Sequence, residues 1–198
     1  PYWLRKKFLK LILRESRYAK KVEEARIVAK MNSLCDPEII AALYEASSNG
    51  VKIDLIVRGI CCLKVGIPGV SENITVRSIV GNFLEHSRIF YFHNAGDAEV
   101  YMGSADWMPR NLDRRVEIIF PVIDEALKKK ACHILEVELT DNVKAHVLGA
   151  DGEYSKIDKR GKQLVNSQEQ FCIEAKAAVP KNDHFDRERV FIPAEPAE

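Results

Sequence analysis

The sequence predicts an α/β domain with a mixed β-sheet flanked by helices. A strand, a helix and a second strand follow one another within residues 26–57, in the order of a βαβ unit. Further short runs rich in β-branched and aromatic residues come next, and a second long helical pattern lies beyond them. The length of 198 residues suits one large domain, and a hydrophobic content of 46% is sufficient for a core.

The first elements are indicated by helical spacing and by helix-end residues. Apolar residues at helical spacing among lysines and arginines predict a basic amphipathic helix over residues 1–24 that leads into the domain. Arg26–Met31 has the composition of a strand. An acidic cap and a proline at Asp36-Pro37 predict a helix start, and Ser47–Gly50 predicts its end. Val51–Val57 is dense in β-branched residues, which is typical of a buried parallel strand.

Shorter elements are predicted after residue 58. A loop rich in glycine covers residues 59–73. Four runs are typical of strands, namely Ile74–Val80, Arg88–Phe92, Glu99–Gly103 and Val116–Val122. A helix is predicted over Asp124–Leu139, with Asp124 as its cap and Leu127 and Leu135 on its apolar face.

The end of the chain is more polar. The stretch Gly149–Gly161 is predicted to form turns, and Ser167–Ala178 a short helix. Residues 25–178 therefore form the predicted domain. Residues 179–198 are charged, contain three prolines and are predicted to be a C-terminal tail that wraps or frays.

The composition excludes several classes of protein. Ten glycines and eight prolines exclude a collagen-like or low-complexity chain, and no apolar run reaches the roughly 20 residues of a transmembrane helix. Five cysteines without a C-x-x-C pair are typical of free thiols in a reducing compartment, so a cytoplasmic location is expected. The chain opens on Pro1 rather than Met, which predicts a processed or excised piece.

Arginine dominates the basic residues in the middle of the chain, although the net charge is only +1. The planar guanidinium group matches phosphate oxygens bidentately, so this bias points to phosphate ligands. The arginines of this block are Arg58, Arg77, Arg88, Arg110, Arg114 and Arg115.

The candidate site lies where predicted strands begin and end. His86 and Arg88 stand at the start of one strand, and Gly103-Ser104 end the next. Imidazole can act there as nucleophile or acid, while guanidinium and backbone N–H groups stabilise the charge of a phosphoryl group. Arg58 directly follows a buried strand and can reach the same edge of the sheet. Structural roles, as a partly buried histidine for His86 and a surface arginine for Arg58, stay open from the pattern alone.

Long motifs then narrow the interpretation. They are Ala29–Leu34, Asp36–Ile40, Ala42–Ala46, Val51–Leu63, Ser71–Ile74, Val76–Gly81, Phe83–Phe92 and Tyr101–Pro121. Together they resemble the bacterial polyphosphate kinase family. The similarity extends over most of residues 4–178 and corresponds to the last domain of that enzyme, preceded by the helix that leads into it.

The resemblance implies an ATP:polyphosphate phosphotransferase, which reversibly transfers the terminal phosphate of ATP to inorganic polyphosphate with Mg²⁺ and a phosphohistidine intermediate. It also implies a phospholipase-D-like fold, in which His86-Ser-Arg88 and Gly103–Asp106 fill the second half-site. Arg88 stands where phospholipase D has Lys, and Asp106 where it usually has Asn. By this resemblance, Arg58 and His86 would contact the ATP phosphates, with His86 acting as acid or charge stabiliser. Arg115 would add a further positive group to this phosphate-binding site.

The resemblance also implies that the site is incomplete in this chain. In the family, the phosphorylated histidine, the metal-binding arginines and the adenine-stacking tyrosine lie in preceding domains, and no counterpart motif is present here. Since phosphoryl transfer needs nucleophile, charge stabilisers and metal together, we expect the chain alone to be inactive and to have no metal ligands of its own. Its expected partners are ATP or ADP, inorganic polyphosphate and the missing N-terminal domains, with no nucleic acid and no indicated membrane association; homo-oligomerisation stays open.

The sequence leaves two other functions open. A non-catalytic module that binds polyanions would use the basic first helix and the arginines. A phospholipase-D-like nuclease would need two His-x-Lys half-sites, and the His-Ser-Arg sequence at 86–88 disfavours it.

Overall fold

Residues 3–21 and 23–179 are described by the computed structural model, and within them lie eight strands and four α-helices. The strands are β1 (Arg26–Met31), β2 (Lys52–Val57), β3 (Ile74–Ile79), β4 (Arg88–Phe92), β5 (Glu99–Gly103), β6 (Ile119–Pro121), β7 (Ala145–Leu148) and β8 (Tyr154–Lys156). The helices are α1 (Leu4–Lys20), α2 (Pro37–Ser48), α3 (Glu125–Thr140) and α4 (Ser167–Ala178). Apart from Val179, the predicted tail lies outside the described residues.

The strands form one mixed sheet in the order β6-β5-β4-β1-β2-β3-β7-β8. Strands β1, β2 and β3 are parallel, whereas every other neighbouring pair is antiparallel. As a result, β1, β2, β3 and β5 end at the same edge of the sheet at which β4, β6 and β7 begin. We call this edge the site edge. The predicted fold class, a mixed sheet flanked by helices, is confirmed.

The helix that connects β1 to β2 has the ends that its sequence predicts. The Asp36 carboxylate accepts a hydrogen bond from the backbone N–H of Ile39 at 3.0 Å, and Pro37 occupies the first helical position. Gly50 takes a left-handed conformation (φ +95°) after the helix ends, which glycine adopts without the cost of a side chain. The predicted βαβ unit is therefore present, with β1 and β2 in parallel register.

The core has two layers, one on each face of the sheet. Successive side chains of β1 alternate between the faces, so that Ile27 and Ala29 pack with α1 and α2 while Val28 packs with α3. On the first face, the ring of Phe8 in α1 contacts Phe90 and Trp107, with ring centroids 4.8 and 5.4 Å apart. Helix α1 is thus docked on the sheet rather than extended away from it.

Three details of the predicted elements are wrong. Of the strand predicted at Val116–Val122 only β6 forms, since Val116 and Ile118 are exposed to solvent. Strand β8, which pairs with β7, lies within the stretch Gly149–Gly161 that was predicted to form turns; its three residues are all exposed, so burial gives it no apolar alternation. Leu127, expected on the apolar face of α3, is 55% exposed, and the buried residues of that helix begin at Ala131.

No helix among the described residues is both long and apolar enough to cross a membrane.

Candidate functional site

The three residues expected to contact phosphate all lie at the site edge. Arg58 directly follows β2, His86 lies two residues before β4, and Arg115 lies between the helical turn Arg110–Arg114 and β6. The sheet topology brings them to the same edge although they are 57 residues apart in sequence at most. His86 and Arg115 are exposed and Arg58 is half-buried.

Arg58 is fixed by a neutral partner. Its Nε and Nη2 donate hydrogen bonds to Oδ1 of Asn32, which follows β1, with an Nε to Oδ1 distance of 2.9 Å. Gly59 allows the two strand ends to approach, because its N–H lies 2.8 Å from the Asn32 carbonyl oxygen and a Cβ there would lie 3.0 Å from the same atom. Since an amide carries no charge, the positive charge of Arg58 is not compensated by its partner and remains available to an anion.

Arg88 is fixed differently, by a carboxylate. Its Nε lies 3.0 Å from Oδ1 of Asp106 and its Nη2 lies 3.1 Å from Oδ2, a bidentate pair in which both residues are buried. The expectation that the Arg88 guanidinium would absorb phosphate charge beside His86 therefore needs correction, because its charge is already matched by Asp106. Asp106 also accepts from the backbone N–H of Asn32 at 2.8 Å, which links the pair to the partner of Arg58.

His86 is held through its backbone. Nη1 of Arg88 donates to the carbonyl oxygen of His86 at 2.7 Å. A continuous set of hydrogen bonds thus runs from Arg58 through Asn32, Asp106 and Arg88 to His86. The arrangement leaves the imidazole exposed, on a backbone fixed by a buried ion pair.

A second cluster of charged residues includes Glu85, the residue before His86. Glu85 Oε2 lies 2.9 Å from Nζ of Lys30, which itself lies 3.0 Å from Oε1 of Glu138 in α3. Burial and the neighbouring Glu85 carboxylate raise the pKa of Glu138 to about 9. Burial acts in the same direction on Glu85, but hydrogen bonding with Glu138 and the positive charge of Lys30 outweigh it and hold the pKa of Glu85 at about 2.

The far end of the site edge is shaped by β5 and β6. Ser104 and Asn111 both donate to the carboxylate of Glu117, and the backbone N–H of Ile118 donates to Oγ of Ser104 at 3.1 Å. Gly103 is required there, because a Cβ would lie 2.0 Å from the carbonyl oxygen of Ile118. This packing sets the direction in which the chain leaves Arg115 and enters β6.

The carboxylates of the site edge are poor candidates for magnesium ligands. Both oxygens of Asp106 accept from Arg88, and both oxygens of Glu117 accept from protein donors. Mg²⁺ prefers carboxylate oxygens that are free to coordinate it, together with water and substrate phosphates. The residues present in this part of the chain therefore fit a phosphate better than they fit the metal.

An apolar cavity of about 480 Å³ lies on the α3 and α4 side of the same segment. Its lining includes Phe83, Glu85, Ser87, Ile134, Phe171 and Cys172. Arg58, His86 and Arg115 do not line it, so it is distinct from the cationic part of the site edge.

Several residues that hold the site edge in place are not among the site residues predicted from the sequence. Glu117, Glu85 and Glu138 have no distinguishing local pattern, and their partners lie between 6 and 108 residues away in sequence. Lys30 offers one signal, since it is a lysine inside the apolar run of a buried strand, a place where charged residues are rare unless paired.

Comparisons with known proteins concern the family and the fold of the chain. Residues 1–168 match the family model described as polyphosphate kinase C-terminal domain 2. A polyphosphate kinase from Pseudomonas aeruginosa is 53% identical over 178 residues, which cover 90% of this chain and 26% of that protein. The crystal structure of polyphosphate kinase from Porphyromonas gingivalis superposes with a TM-score of 0.86 at 41% identity, over 89% of this chain and 27% of that one.

A more distant similarity concerns the fold alone. NucT from Helicobacter pylori superposes with a TM-score of 0.52 at 17% identity, over 70% of this chain and 91% of that one. The chain spans about a quarter of the length of the polyphosphate kinases that it matches.

Proposed function

Because this chain belongs to the polyphosphate kinase family, we propose that it supplies part of the ATP and polyphosphate site of an ATP:polyphosphate phosphotransferase. The reaction moves the terminal phosphoryl group of ATP reversibly to the end of a polyphosphate chain. The phosphohistidine that carries the group belongs to a preceding domain that is absent from these 198 residues. Mg²⁺, when bound in the longer enzyme, neutralises phosphate charge.

The uncompensated charge of Arg58 at the same edge as an exposed imidazole is the observation that carries this proposal. Arg58 binds non-bridging oxygens of the ATP phosphates with the N–H groups that Asn32 leaves free. His86 contacts the same phosphates and acts as an acid or, when protonated, as a charge stabiliser. Arg115, exposed on the approach to β6, adds a second guanidinium to the cradle.

The buried pair of Arg88 and Asp106 has a positioning role in this proposal. Its charges cancel, so it contributes little net attraction for phosphate, but it fixes the backbone of His86 and the N–H of Asn32. Phosphoryl transfer depends mainly on positioning and electrostatic stabilisation. The reaction therefore requires that the phosphate-contacting side chains be held in fixed positions.

A test compares two sets of variants in a longer polyphosphate kinase that contains this domain. We expect Arg58→Ala and His86→Ala to lower turnover by at least about a hundredfold, because each removes a group that meets the transferred charge. Replacing the exposed lysines of α1 (Lys6, Lys7 and Lys10) by alanine should leave turnover within about twofold.

The opposite result would favour the non-catalytic polyanion-binding module. In that case the α1 lysines would control affinity and His86 would matter little. The structure offers that function less support, because Arg5 and Arg14 of α1 are already paired with Asp36, Asp113 and Glu99.

A further inference from the structure

The backbone of His86 is flanked by two ion pairs, one buried and one partly buried. On one side, Arg88 pairs with Asp106 and donates to the carbonyl oxygen of His86. On the other side, Glu85 pairs with Lys30 at 2.9 Å. The first pair belongs to the site already described, whereas the second contacts neither Arg58 nor Arg115, and its burial needs a separate explanation.

Lys30 and Glu138 occupy positions where a core would ordinarily hold apolar side chains. Lys30 is 5% exposed and Glu138 is fully buried, and they lie between β1 and α3 beside Val28 and Leu135. Removing charges from water is costly, and a pair of apolar residues would fill the same space with less cost. The charged groups make a directional contact, because the ion pair with Lys30 fixes the position of the Glu85 carboxylate and an apolar contact would not.

Gln168 of α4 holds the same segment with neutral hydrogen bonds. Its Nε2 donates to Oε1 of Glu85 at 2.8 Å and to the carbonyl oxygen of Phe83 at 2.9 Å, and its Oε1 accepts from the N–H of Phe83 at 3.0 Å. Gly81 leaves room for this amide, because a Cβ there would lie 2.3 Å from Oε1. Residues 81–85 are therefore attached to β1, α3 and α4 at once.

We propose that Lys30, Glu85 and Glu138 form a positioning cluster for His86, in which Lys30 fixes Glu85 and thereby the backbone from which the imidazole meets phosphate. The proposal rests on the function proposed above, because it takes His86 as the phosphate-contacting residue. None of the three is a catalytic residue; each acts through the backbone of its neighbour.

The protonation state of the cluster follows from its contacts. Both oxygens of Glu85 accept from nitrogen donors, whereas Glu138 has no such hydrogen bond among the described residues, although its Oε1 lies 3.0 Å from Nζ of Lys30. Glu138 therefore holds a proton at neutral pH, in agreement with its pKa of about 9, and Glu85 is the charged partner of Lys30. Arg77 of β3 reaches the end of α3 as well, but it donates to the backbone carbonyl oxygen of Leu139 and not to this carboxyl.

Loss of the Glu138 proton would change the pairing. A second carboxylate would then compete with Glu85 for Lys30, so the hold on the His86 segment should weaken as the pH rises through about 9. Glutamine at position 138 keeps the shape of the neutral acid but has no proton to lose, which makes it the matched variant for this step.

The test follows the imidazole of His86 by NMR in the 198-residue chain, from about pH 5 to pH 10, with and without inorganic tripolyphosphate. We expect one sharp ring signal in the wild type, with a second change near pH 9 that Glu138→Gln abolishes. Lys30→Met should broaden or split the ring signal at neutral pH and weaken tripolyphosphate binding at least fivefold. Glu85→Gln, which keeps the bonds to Gln168, provides the same test should Lys30→Met fail to fold.

Lys128→Met is the control, because it breaks an exposed ion pair with Glu125 on the same helix α3 and should change none of these readouts. A single wild-type ring signal in both Lys30→Met and Glu85→Gln, or a step near pH 9 that survives Glu138→Gln, would overturn the cluster's role. A different result would contradict the proposed function alone. In that case tripolyphosphate would leave the His86 signal of the wild type unchanged, while the cluster variants would still alter that signal in the absence of ligand.

Discussion

The guanidinium of Arg88 and the carboxylate of Asp106 form a bidentate, buried ion pair at the edge of the sheet where the candidate site lies. The same guanidinium reaches the backbone of His86, and the same carboxylate reaches the backbone of Asn32. Two segments that are more than 50 residues apart in sequence are therefore held by one pair of side chains. The charge of Arg88 is matched by Asp106, and its guanidinium holds the backbone of His86 in place.

Breaking this pair should destabilise the domain strongly. Arg88→Met leaves Asp106 as an unpaired buried carboxylate, and we expect a loss of about 3 kcal/mol in the free energy of unfolding, measured by urea denaturation at neutral pH. Arg160→Met is the matched control, since Arg160 pairs with Asp158 at the surface and its loss should leave the free energy of unfolding nearly unchanged. Equal effects of the two substitutions would contradict the structural role given to Arg88.

Removing the uncompensated guanidinium should affect ligand binding and not stability. For Arg58→Ala we expect at least a tenfold weaker affinity of the 198-residue chain for tripolyphosphate, measured by titration calorimetry at low salt, with the melting temperature nearly unchanged. Asn32 remains hydrogen-bonded to Asp106 through its backbone in this variant. Arg160→Ala should bind like the wild type, and wild-type affinity in Arg58→Ala would remove this arginine from the site.

The 198-residue chain should make no polyphosphate from ATP. The groups that this chain contributes stabilise charge, but the proposed reaction also needs the phosphorylated histidine of a preceding domain. The measurement is incorporation of the labelled terminal phosphate of ATP into polymer by purified protein, with His86→Ala as the control for contaminating activity. Synthesis that is present in the wild type and absent from His86→Ala would show that the chain is sufficient.

Glu138→Gln should stabilise the protein in mildly alkaline solution. The pKa of Glu138 is raised to about 9 from an ordinary 4.5, so the stability linked to its protonation is complete below the ordinary value and is lost as the pH rises toward 9. Glutamine suffers no such loss, and we expect the variant to be more stable than the wild type by on the order of 2 kcal/mol at pH 8.

The measurement for this substitution is urea denaturation across the interval from pH 5 to pH 9, within which the difference should grow steadily. Glu85, whose pKa is lowered to about 2, loses its contribution only as the pH falls below about 4.5, outside that interval. The exposed Glu125 on the same helix supplies the control Glu125→Gln, whose curve should run parallel to that of the wild type. A variant less stable than the wild type throughout would contradict the protonated state of Glu138.

Gly103→Ala should separate the ends of β5 and β6. The added Cβ would lie 2.0 Å from a backbone carbonyl oxygen, which cannot move without breaking the hydrogen bond between Ser104 and Ile118. We expect a loss of about 2 kcal/mol in stability and weaker tripolyphosphate binding through displacement of Arg115. Ser104→Ala, which removes a hydroxyl from the same turn but adds no atom, should have the smaller effect on stability.

Much of the fold follows from local signals in the sequence. Asp36 and Pro37 mark the start of α2 as expected, and the β-branched run before Arg58 forms a buried parallel strand. The β7–β8 hairpin was missed because its second strand is exposed and polar, so that pairing with its neighbour, and not burial, defines it.

The candidate site was predictable only in part. Arg58 follows the end of β2, and His86 precedes the start of β4. Once the strand order is assumed, these positions indicate that both residues lie at the same edge of the sheet. No local pattern indicates that Arg88 is neutralised or that Lys30 meets Glu138, since those pairs depend on how α3 and the sheet pack in three dimensions. Charge compensation is a property of the folded chain, and it decides which arginine is free to act.

The docking of α1 has a practical consequence for protein engineering. A product trimmed at residue 24, where the first strand is about to begin, would lose Phe8 and leave Phe90 and Trp107 bare to water. Such a product should aggregate through this exposed apolar surface. It would also lose Arg5, whose guanidinium bridges the Asp36 cap to Asp113. Transferring the site edge to another scaffold therefore requires the leading helix α1 as well as the sheet.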